Sequence, residues 1–301
     1  MKHCGQKAPG KYLRNSIVQA IAILCLLLAA ACAGAKPALQ AGENLPEYVP
    51  AKHLVFIGFD GWGGAYVSKA NMPEAKRRMA EGASSLDVRC IMPSNSWPNW
   101  AAFFGGTPPE KQTSEHFPSI FTLVENANGA EASILFYQWG RLQDIFPTDN
   151  IERRAIGSDS ESASLIAARI KEAKPVFTAI VFEEPDSTGH NKRWGSAAYY
   201  AKLEELDAFI EIIEQAVKNA GIYDDTVFIL SSDHGGVLWG HGFNSPKQRR
   251  IPLVIYGSNI KNGYTIPARR SICDIAPTMA VILGLEIPPE WTGKPLAGVF
   301  K

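Results

Sequence analysis

Acidic residues follow three apolar runs of this sequence, and histidines come soon after two of these acids. The set comprises Asp60, Asp186, His190, Asp233, His234 and His241. A single acid after a strand is usually a turn former, and a single histidine usually makes an ordinary hydrogen bond. Carboxylates and imidazoles gathered together, however, are good ligands for zinc and related divalent ions. The repeated pattern therefore predicts a metal-binding site.

A candidate nucleophile, Ser96, lies where a polar loop gives way to the apolar segment 101–104. Pro98 suits the first turn of a helix, so Ser96 is predicted at or near a helix start. The amino end of a helix presents free N–H groups and a partial positive charge, which suit a phosphate and favour a serine alkoxide. Taken alone, Ser96 could equally be a helix N-cap. Beside a metal site it is predicted to be the nucleophile.

Apolar runs and helical periodicity predict the elements that must position these residues. Five buried strands are predicted, at residues 54–59, 134–137, 177–182, 226–230 and 251–256. Helices are predicted at about 160–174, 197–220 and 275–283. Strands that alternate with helices indicate an α/β fold, with a doubly wound, mostly parallel central sheet and helices on both faces. Ligands of such sheets bind beyond the carboxyl ends of the strands, so the acids are predicted to converge there.

The first 35 residues are predicted to be an export signal. Four basic residues precede an uncharged apolar run at 17–31, which is too short for a confident membrane span. Two processing routes fit the small residues that follow. Ala29-Ala30-Ala31-Cys32 resembles a bacterial lipobox, which would attach the protein to a membrane through a lipidated Cys32, whereas 33–35 would suit ordinary signal peptidase. We therefore expect an exported protein, either periplasmic or on the outer surface.

The rest of the chain is predicted to form a linker at 36–50 and one domain at 51–301, with a possible small lid or insertion around 110–158. The export segment holds four of the 30 basic residues and none of the 30 acidic ones, so the remainder carries about four net negative charges. A mildly acidic protein has no electrostatic footprint for duplex nucleic acid. Cys90 and Cys273 either pair in an oxidising compartment or remain buried thiols.

Six motifs, in this order, resemble the alkaline phosphatase superfamily and, within it, the type I phosphodiesterase/nucleotide pyrophosphatase family. They are Phe59-Asp60-Gly61, Ser96-Trp97-Pro98-Asn99, the segment 182–190, Ser232-Asp233-His234-Gly235, Gly240-His241-Gly242 and Asp274-Ile275-Ala276-Pro277-Thr278. The motifs span most of the chain that follows the export segment. The resemblance implies an alkaline phosphatase-like catalytic domain over 51–301.

The same resemblance implies two divalent metal ions, with zinc as the first candidate, at the edge of the sheet. One ion would be held by Asp186, His190 and His241. The other would be held by Asp60, Asp233, His234 and the oxygen of Ser96. The resemblance also implies that Asn99 donates a hydrogen bond to a phosphoryl oxygen.

The activity implied by the resemblance is metal-dependent hydrolysis of small-molecule phosphate esters through a phosphoserine intermediate on Ser96. Phosphodiesters or nucleotide pyrophosphates are favoured, because no lysine or arginine lies inside the motifs to meet the extra charge of a monoester. Phosphomonoesterase and phosphonate hydrolase activities of the same superfamily are alternatives. Trp100 stands where a sulfatase would have arginine, which argues against sulfate esters. An alternative from another class is a non-catalytic, ligand-binding surface lipoprotein.

The chain departs from the family pattern at two places. The family usually has threonine where this chain has Ser96, and a histidine expected after the nucleophile is missing from the segment 106–113. Aromatic residues near the motifs could stack on a base or aryl group of the substrate. The candidates are Trp62, Trp97 and Trp100, followed by Tyr137 and Trp139.

Overall fold

The computed structural model describes Met1 and residues 48–112, 117–145, 151–157 and 160–301. Apart from Met1, the predicted export signal, with the proposed lipidation site Cys32, lies outside the described residues, as do residues 36–47 of the predicted linker. Within the described ranges, no helix is both long and apolar enough to pass through a lipid bilayer.

A single sheet is formed by the strands of the described residues. They are β1 (His53–Phe59), β2 (Ala83–Arg89), β3 (Ser133–Tyr137), β4 (Glu152–Ala155), β5 (Phe177–Phe182), β6 (Thr226–Ser231), β7 (Arg250–Gly257) and β8 (Tyr264–Thr265). Their order across the sheet is β4-β3-β5-β1-β6-β7-β2-β8. Strand β7 runs antiparallel to β6 and to β2, and the other pairs are parallel. The prediction of a mostly parallel sheet is confirmed.

Helices cover both faces of this sheet, as predicted. They are α1 (Pro73–Glu81), α2 (Ser96–Gly105), α3 (Ile120–Asn128), α4 (Ser160–Ala173), α5 (Asp186–Lys192), α6 (Ala197–Asn219), α7 (Pro246–Arg249) and α8 (Ile275–Ile282). Residues of α2, α3 and α8 belong to one buried core, and residues of α1, α4 and α6 belong to the other. Alternate residues of β1 enter the two cores, because successive side chains of a strand point to opposite faces.

The five predicted strands are all present, whereas β2, β4 and the two-residue β8 were not predicted. Strand β2 alternates buried and partly exposed residues, and β4 is a short, charged edge strand, so neither has a continuous apolar run. The described residues of the stretch 110–158 supply α3, β3 and β4, and they are therefore built into the main sheet and its cover. Cys90 and Cys273 are free thiols and both are buried, which settles the choice between pairing and burial.

Candidate active site

The carboxyl ends of β5, β1 and β6 bring the acids together. Strand β1 lies between β5 and β6 in the sheet, so these three ends are neighbours. Asp60 follows β1 directly, Asp186 begins α5 just after β5, and Asp233 lies two residues beyond β6. The predicted convergence of the acids at one edge is confirmed by this arrangement.

A glycine turn makes this close approach possible. Gly61 has φ +74°, and a Cβ atom there would lie 2.9 Å from Cα of Asp186. A side chain at this position would therefore be strained by its own backbone and would also collide with the next loop. The Gly61 N–H donates to Oδ1 of Asp233 at 3.2 Å, so the same turn joins the β1 and β6 loops.

The first group of candidate metal ligands contains Asp186, His190 and His241. Asp186 and His190 are four residues apart on α5, which places both side chains on one face of the helix. Nε2 of His190 lies 3.4 Å from Oδ2 of Asp186 and 3.0 Å from Nε2 of His241. Nε2 of His241 lies 3.6 Å from Oδ1 of Asp186. The three side chains thus point their ligand atoms at one small volume.

The second group contains Asp60, Asp233 and His234, all of them buried. Nε2 of His234 lies 3.5 Å from Oδ1 of Asp60 and 3.3 Å from Oδ2 of Asp233. Ser96 completes this group, because its Oγ is 3.2 Å from Oδ1 of Asp60 and 3.1 Å from Nε2 of His234. The structure therefore brings together the seven residues predicted as ligands.

Backbone carbonyls fix which nitrogen of each histidine is free to bind a metal. Nδ1 of His190 lies 2.9 Å from the carbonyl of Trp239, and Nδ1 of His241 lies 2.8 Å from the carbonyl of Ser94. Nδ1 of His234 lies 3.0 Å from the carbonyl of Gly235. A carbonyl only accepts hydrogen bonds, so each Nδ1 carries the proton. Each Nε2 then offers its lone pair to the cluster, which is the usual arrangement of metal-binding histidines.

The charges of the site also fit bound cations. Among the described residues, the ion-pair partners of Asp60, Asp186 and Asp233 are histidines only. Oδ1 of Asp186 and Oδ2 of Asp233 are buried without a hydrogen-bond partner. Burial and then the neighbouring charges of Asp233 and Asp186 raise the pKa of Asp60 well above its ordinary value. Uncompensated buried carboxylates are costly, so these residues fit divalent cations.

Helix α2 presents Ser96 at its amino end. The N-cap residue is Asn95, whose side chain does not cap the helix, although asparagine commonly does so. Its Oδ1 instead lies 3.2 Å from Nδ1 of His241. Among the described residues, the backbone N–H groups of Ser96 and Trp97 consequently have no hydrogen-bond partner. They remain free donors at the positive end of the helix, beside the Ser96 hydroxyl.

Comparison with known proteins agrees with this geometry. The family model described as type I phosphodiesterase / nucleotide pyrophosphatase matches residues 54–112 and 131–239, which is more than half of the chain. The chain belongs to this family. The family lies within the alkaline phosphatase superfamily, as the motifs indicated.

Relatives with known roles match this family member over part of their length. GPI ethanolamine phosphate transferase 1 of Emericella nidulans is 29% identical over 174 residues, which cover 50% of this chain and 18% of that protein. Phosphopentomutase of Alkaliphilus metalliredigens is 29% identical over 168 residues, which cover 55% of this chain and 40% of that protein. The chain therefore spans less than half the length of these two relatives.

Solved structures of low sequence identity share its fold. Murine ectonucleotide pyrophosphatase / phosphodiesterase 5, in an inactive form in complex with AMP, has a TM-score of 0.70 at 13% identity and covers 83% of this chain and 100% of that chain. The phosphonate monoester hydrolase from Silicibacter pomeroyi has a TM-score of 0.66 at 14% identity and covers 83% and 77% of the two chains. The alkaline phosphatase-like α/β fold is confirmed by these likenesses.

Asn99 of this phosphodiesterase-family protein is not placed to donate to a substrate, which corrects the role implied by the resemblance. The side chain is fully buried, and its Nδ2 donates to the carbonyls of Pro93 and Asn95 at 3.0 and 2.9 Å. Its Oδ1 accepts the N–H of Ile91 at 2.7 Å. Both amide hydrogens are thus used, so Asn99 holds the loop that carries Ser96.

Two of the three tryptophans predicted to contact substrate are fully buried. Trp62 packs in the core against Phe59, with ring centroids 5.4 Å apart. Trp100 also has no exposed surface, and its Nε1 donates to Oδ2 of Asp60 at 3.0 Å. Neither ring offers a face on which a substrate could stack, which corrects that expectation. Trp97 is 43% exposed beside Ser96 and stays a candidate.

Sequence reasoning missed several residues that hold the ligands in place. Ser94 donates its hydroxyl to the carbonyl of Phe243 at 3.0 Å, and its hydroxyl accepts the N–H of Gly242 at 3.0 Å. Ser232 accepts the N–H of Trp62 at 2.9 Å, which joins the β1 and β6 loops. Ser232 lies inside one of the six motifs and Ser94 lies two residues before another. The residue type alone, however, does not distinguish a serine nucleophile from a serine that holds a loop in place.

Replacing Trp100 by phenylalanine tests whether the tryptophan orients Asp60 for metal binding. The Trp100→Phe change keeps most of the buried ring but removes the donor to Asp60. We expect the metal affinity of the second group to fall by about 10- to 100-fold. Equilibrium dialysis with zinc would measure this change. Trp62→Phe is the matched control, because its buried Nε1 has no hydrogen-bond partner; an equal loss of affinity in both variants would contradict the prediction.

Proposed function

We propose that this protein hydrolyses phosphate esters with two bound divalent metal ions, zinc being the first candidate, and prefers phosphodiesters or nucleotide pyrophosphates. The observation that carries the proposal is the position of the Ser96 hydroxyl. Its oxygen lies within 3.2 Å of both Asp60 and His234 and beside free N–H groups at a helix start. A hydroxyl in this setting is suited to lose its proton and to attack phosphorus.

The proposed reaction forms and then breaks a phosphoserine. The Ser96 hydroxyl gives its proton to solvent as Oγ attacks the phosphorus, and the bond to the leaving oxygen breaks. Water then attacks the phosphorus, the bond from phosphorus to Oγ breaks, and Ser96 takes a proton back. Bound divalent ions would stabilise the negative charge on the attacking and departing oxygens. Asp60 and His234 hold Oγ of Ser96 in place, and the free N–H groups of Ser96 and Trp97 are available to a phosphoryl oxygen.

The charge of the site favours diesters over monoesters. A phosphodiester carries one negative charge, whereas a monoester can carry two and needs more positive charge around the phosphate. In the part of the chain that the structure describes, no lysine or arginine belongs to the two ligand groups or to the residues hydrogen-bonded to the Ser96 hydroxyl. We therefore infer that bound metal ions and backbone N–H groups meet the charge of the substrate, which suits a singly charged phosphodiester.

A direct comparison of substrates tests the proposal. We would measure kcat/KM of the zinc-loaded protein on a bis-aryl phosphate, an aryl monophosphate, an aryl phosphonate ester and an aryl sulfate. We expect the diester to be preferred by at least about tenfold, which corresponds to about 1.4 kcal/mol. Preference for the monoester or the phosphonate would assign the corresponding alternative. No turnover on any of the four would favour a non-catalytic, ligand-binding surface lipoprotein.

Replacing Asn95 or Asn99 by alanine distinguishes a residue that acts on the substrate from one that holds the Ser96 loop in place. Asn95 is exposed, and its Oδ1 lies 3.2 Å from Nδ1 of His241. We infer that its Nδ2 donates to a phosphoryl oxygen, so Asn95→Ala should lower kcat/KM by about a hundredfold with little change in stability. Asn99→Ala should lower the free energy of unfolding by about 2–4 kcal/mol, because it leaves buried backbone groups unpaired. Kinetics and urea unfolding measure both. A stable Asn99→Ala protein with little activity would restore the role implied by the family.

We also propose that the protein is exported. The basic and apolar pattern of its first 35 residues supports this proposal. Fractionation of the producing cells would test it, and mass spectrometry of the amino terminus would distinguish lipidation at Cys32 from cleavage after Ala35. An unprocessed chain in the cytoplasm would contradict export.

A further inference from the structure

Exposed large apolar side chains are concentrated around the candidate active site. In the part of the chain that the structure describes, nine such residues are exposed, and five of them lie in two segments, residues 92–97 and 238–243: Met92, Trp97, Leu238, Trp239 and Phe243. We name these five residues the apolar rim. Their exposed fractions range from 40% to 73%. Scattered exposed apolar residues are ordinary, but a group of this size indicates an interaction surface.

The two segments that carry the apolar rim also hold the metal-ligand groups. The carbonyl of Trp239 accepts the Nδ1 proton of His190, and the carbonyl of Phe243 accepts the hydroxyl of Ser94. Trp97 directly follows Ser96. The backbone of the rim is therefore fixed against the site, while its side chains remain exposed to solvent. A surface docked on the rim would lie next to Ser96.

A strained turn presents two of the rim residues. Leu238 and Trp239 are the central residues of a tight turn, in which Val237 N–H donates to the Gly240 carbonyl at 2.9 Å and Gly240 N–H donates to the Val237 carbonyl at 3.2 Å. Leu238 has φ +55°, where glycine or asparagine is normally favoured. This conformation is costly for leucine, and burial within the protein does not offset the cost, because Leu238 is 56% exposed. Contact with an outside apolar phase would offset it.

Basic residues flank the apolar rim. Lys192 and Arg193 lie at the end of α5, which carries His190, and Lys247 lies on α7, four residues after Phe243. All three are exposed, and among the described residues none of them has an acidic partner. Apolar and tryptophan side chains next to basic ones match the interface of a membrane with anionic head groups.

We propose that the apolar rim docks on an anionic lipid surface. Docking would bring the phosphodiester of a lipid head group to Ser96, and this assignment of the substrate rests on the proposed function. A second copy of this chain is a poorer occupant of the rim. A two-fold symmetric contact through this face would place two copies of the same basic face against each other, and the like charges of Lys192, Arg193 and Lys247 would repel one another.

An environment-sensitive fluorophore at Phe243 tests docking directly and without reference to activity. The full chain would carry Phe243→Cys, labelled with a nitrobenzoxadiazole probe, with Cys4, Cys25 and Cys32 replaced by serine so that only this site reacts. Ile212→Cys is the matched control, because Ile212 is an exposed apolar residue on α6, outside the rim. Both proteins would be mixed with phosphatidylcholine vesicles that contain or lack phosphatidylglycerol.

We expect the emission of the Phe243 probe to shift to shorter wavelength with the anionic vesicles, and the Ile212 probe to remain unchanged. No shift at Phe243, or the same shift at both positions, would overturn docking through the rim. Size-exclusion chromatography at increasing protein concentration provides a second readout. A dimer that is present in the wild type and lost in Phe243→Ser would form through the rim, and that result would also overturn the proposal.

Turnover separates docking from the choice of substrate. In the double variant Leu238→Asn/Phe243→Ser, asparagine accepts the turn conformation at position 238, and two apolar side chains are removed from the rim. We expect hydrolysis of head-group diesters in vesicles to fall by at least about tenfold, while a soluble bis-aryl phosphate is cleaved as before. If the probe shifts but lipid is not hydrolysed, docking stands and the lipid substrate is excluded; if no diester of any kind is cleaved, the proposed function itself fails.

Discussion

Ser96→Ala is expected to reduce kcat/KM for a phosphodiester by at least about a thousandfold, which corresponds to about 4 kcal/mol of transition-state stabilisation. The change removes the one oxygen that lies against Asp60 and His234 at the start of α2. It leaves Asp60, Asp233 and His234 in place, so the second group should still bind its metal ion. Steady-state kinetics and the zinc content of the purified variant measure the two effects.

Two further variants make the result specific to the hydroxyl at position 96. Ser96→Thr keeps the oxygen and should retain activity within about a hundredfold of the wild type. Ser94→Ala removes a nearby hydroxyl that clamps the loop rather than facing the metal-ligand groups. If Ser94→Ala lost as much activity as Ser96→Ala, or if Ser96→Ala kept a tenth of wild-type activity, Ser96 would not be the nucleophile.

Removal of bound metal is expected to abolish turnover and to lower the melting temperature by roughly 10 °C. A cation present at a thousandfold above its Kd adds about 4 kcal/mol to stability, and for a domain of this size each kcal/mol shifts the melting temperature by about 2–4 °C. The physical reason is the set of Asp60, Asp186 and Asp233, of which Asp60 and Asp233 are buried and Asp186 is partly buried. None of the three has a lysine or arginine partner among the described residues. Calorimetry before and after chelation, followed by zinc addition, measures loss and recovery.

A matched pair of variants distinguishes metal binding from the general effect of a buried acid. Asp233→Asn should lower both zinc content and activity, because Asp233 belongs to the second group. Asp207→Asn changes another buried aspartate, which accepts the backbone N–H groups of Glu74 and Ala75, so it should lower stability alone. Normal zinc content and activity in Asp233→Asn would exclude the proposed ligand set.

As the pH rises, the stability of the metal-free protein should fall, whereas its affinity for zinc should rise. Burial, followed by the charge of Asp186, raises the pKa of Asp233 from 3.8 to about 7. Between these values the folded metal-free protein holds a proton that the unfolded chain has released, so its stability falls as the pH rises. A metal ion must displace this proton, so zinc affinity should rise over the same range. Melting curves at pH 5 and 8, with and without zinc, measure both trends.

The sequence by itself determined the fold class and the identity of the candidate ligands. Apolar runs such as β5 and β6 are buried along their whole length, so hydrophobicity alone was enough to place them inside a parallel sheet. The neighbouring carboxyl ends of parallel strands then required Asp60 and Asp233 to meet. The convergence of residues at the ends of parallel strands depends only on residue type and on position along the chain, and the sequence contains both.

Only the tertiary structure decided what the residues around these ligands do. Asn95 and Asn99 have the same side chain and lie four residues apart. Asn99 nevertheless donates hydrogen bonds to carbonyls of its own loop, whereas the side chain of Asn95 contacts His241. Trp97 is exposed while Trp100, three residues later, is buried against Asp60. Each of these roles depends on which distant loop lies opposite the side chain. Long-range packing fixes that arrangement, and the local pattern of residue types does not encode it.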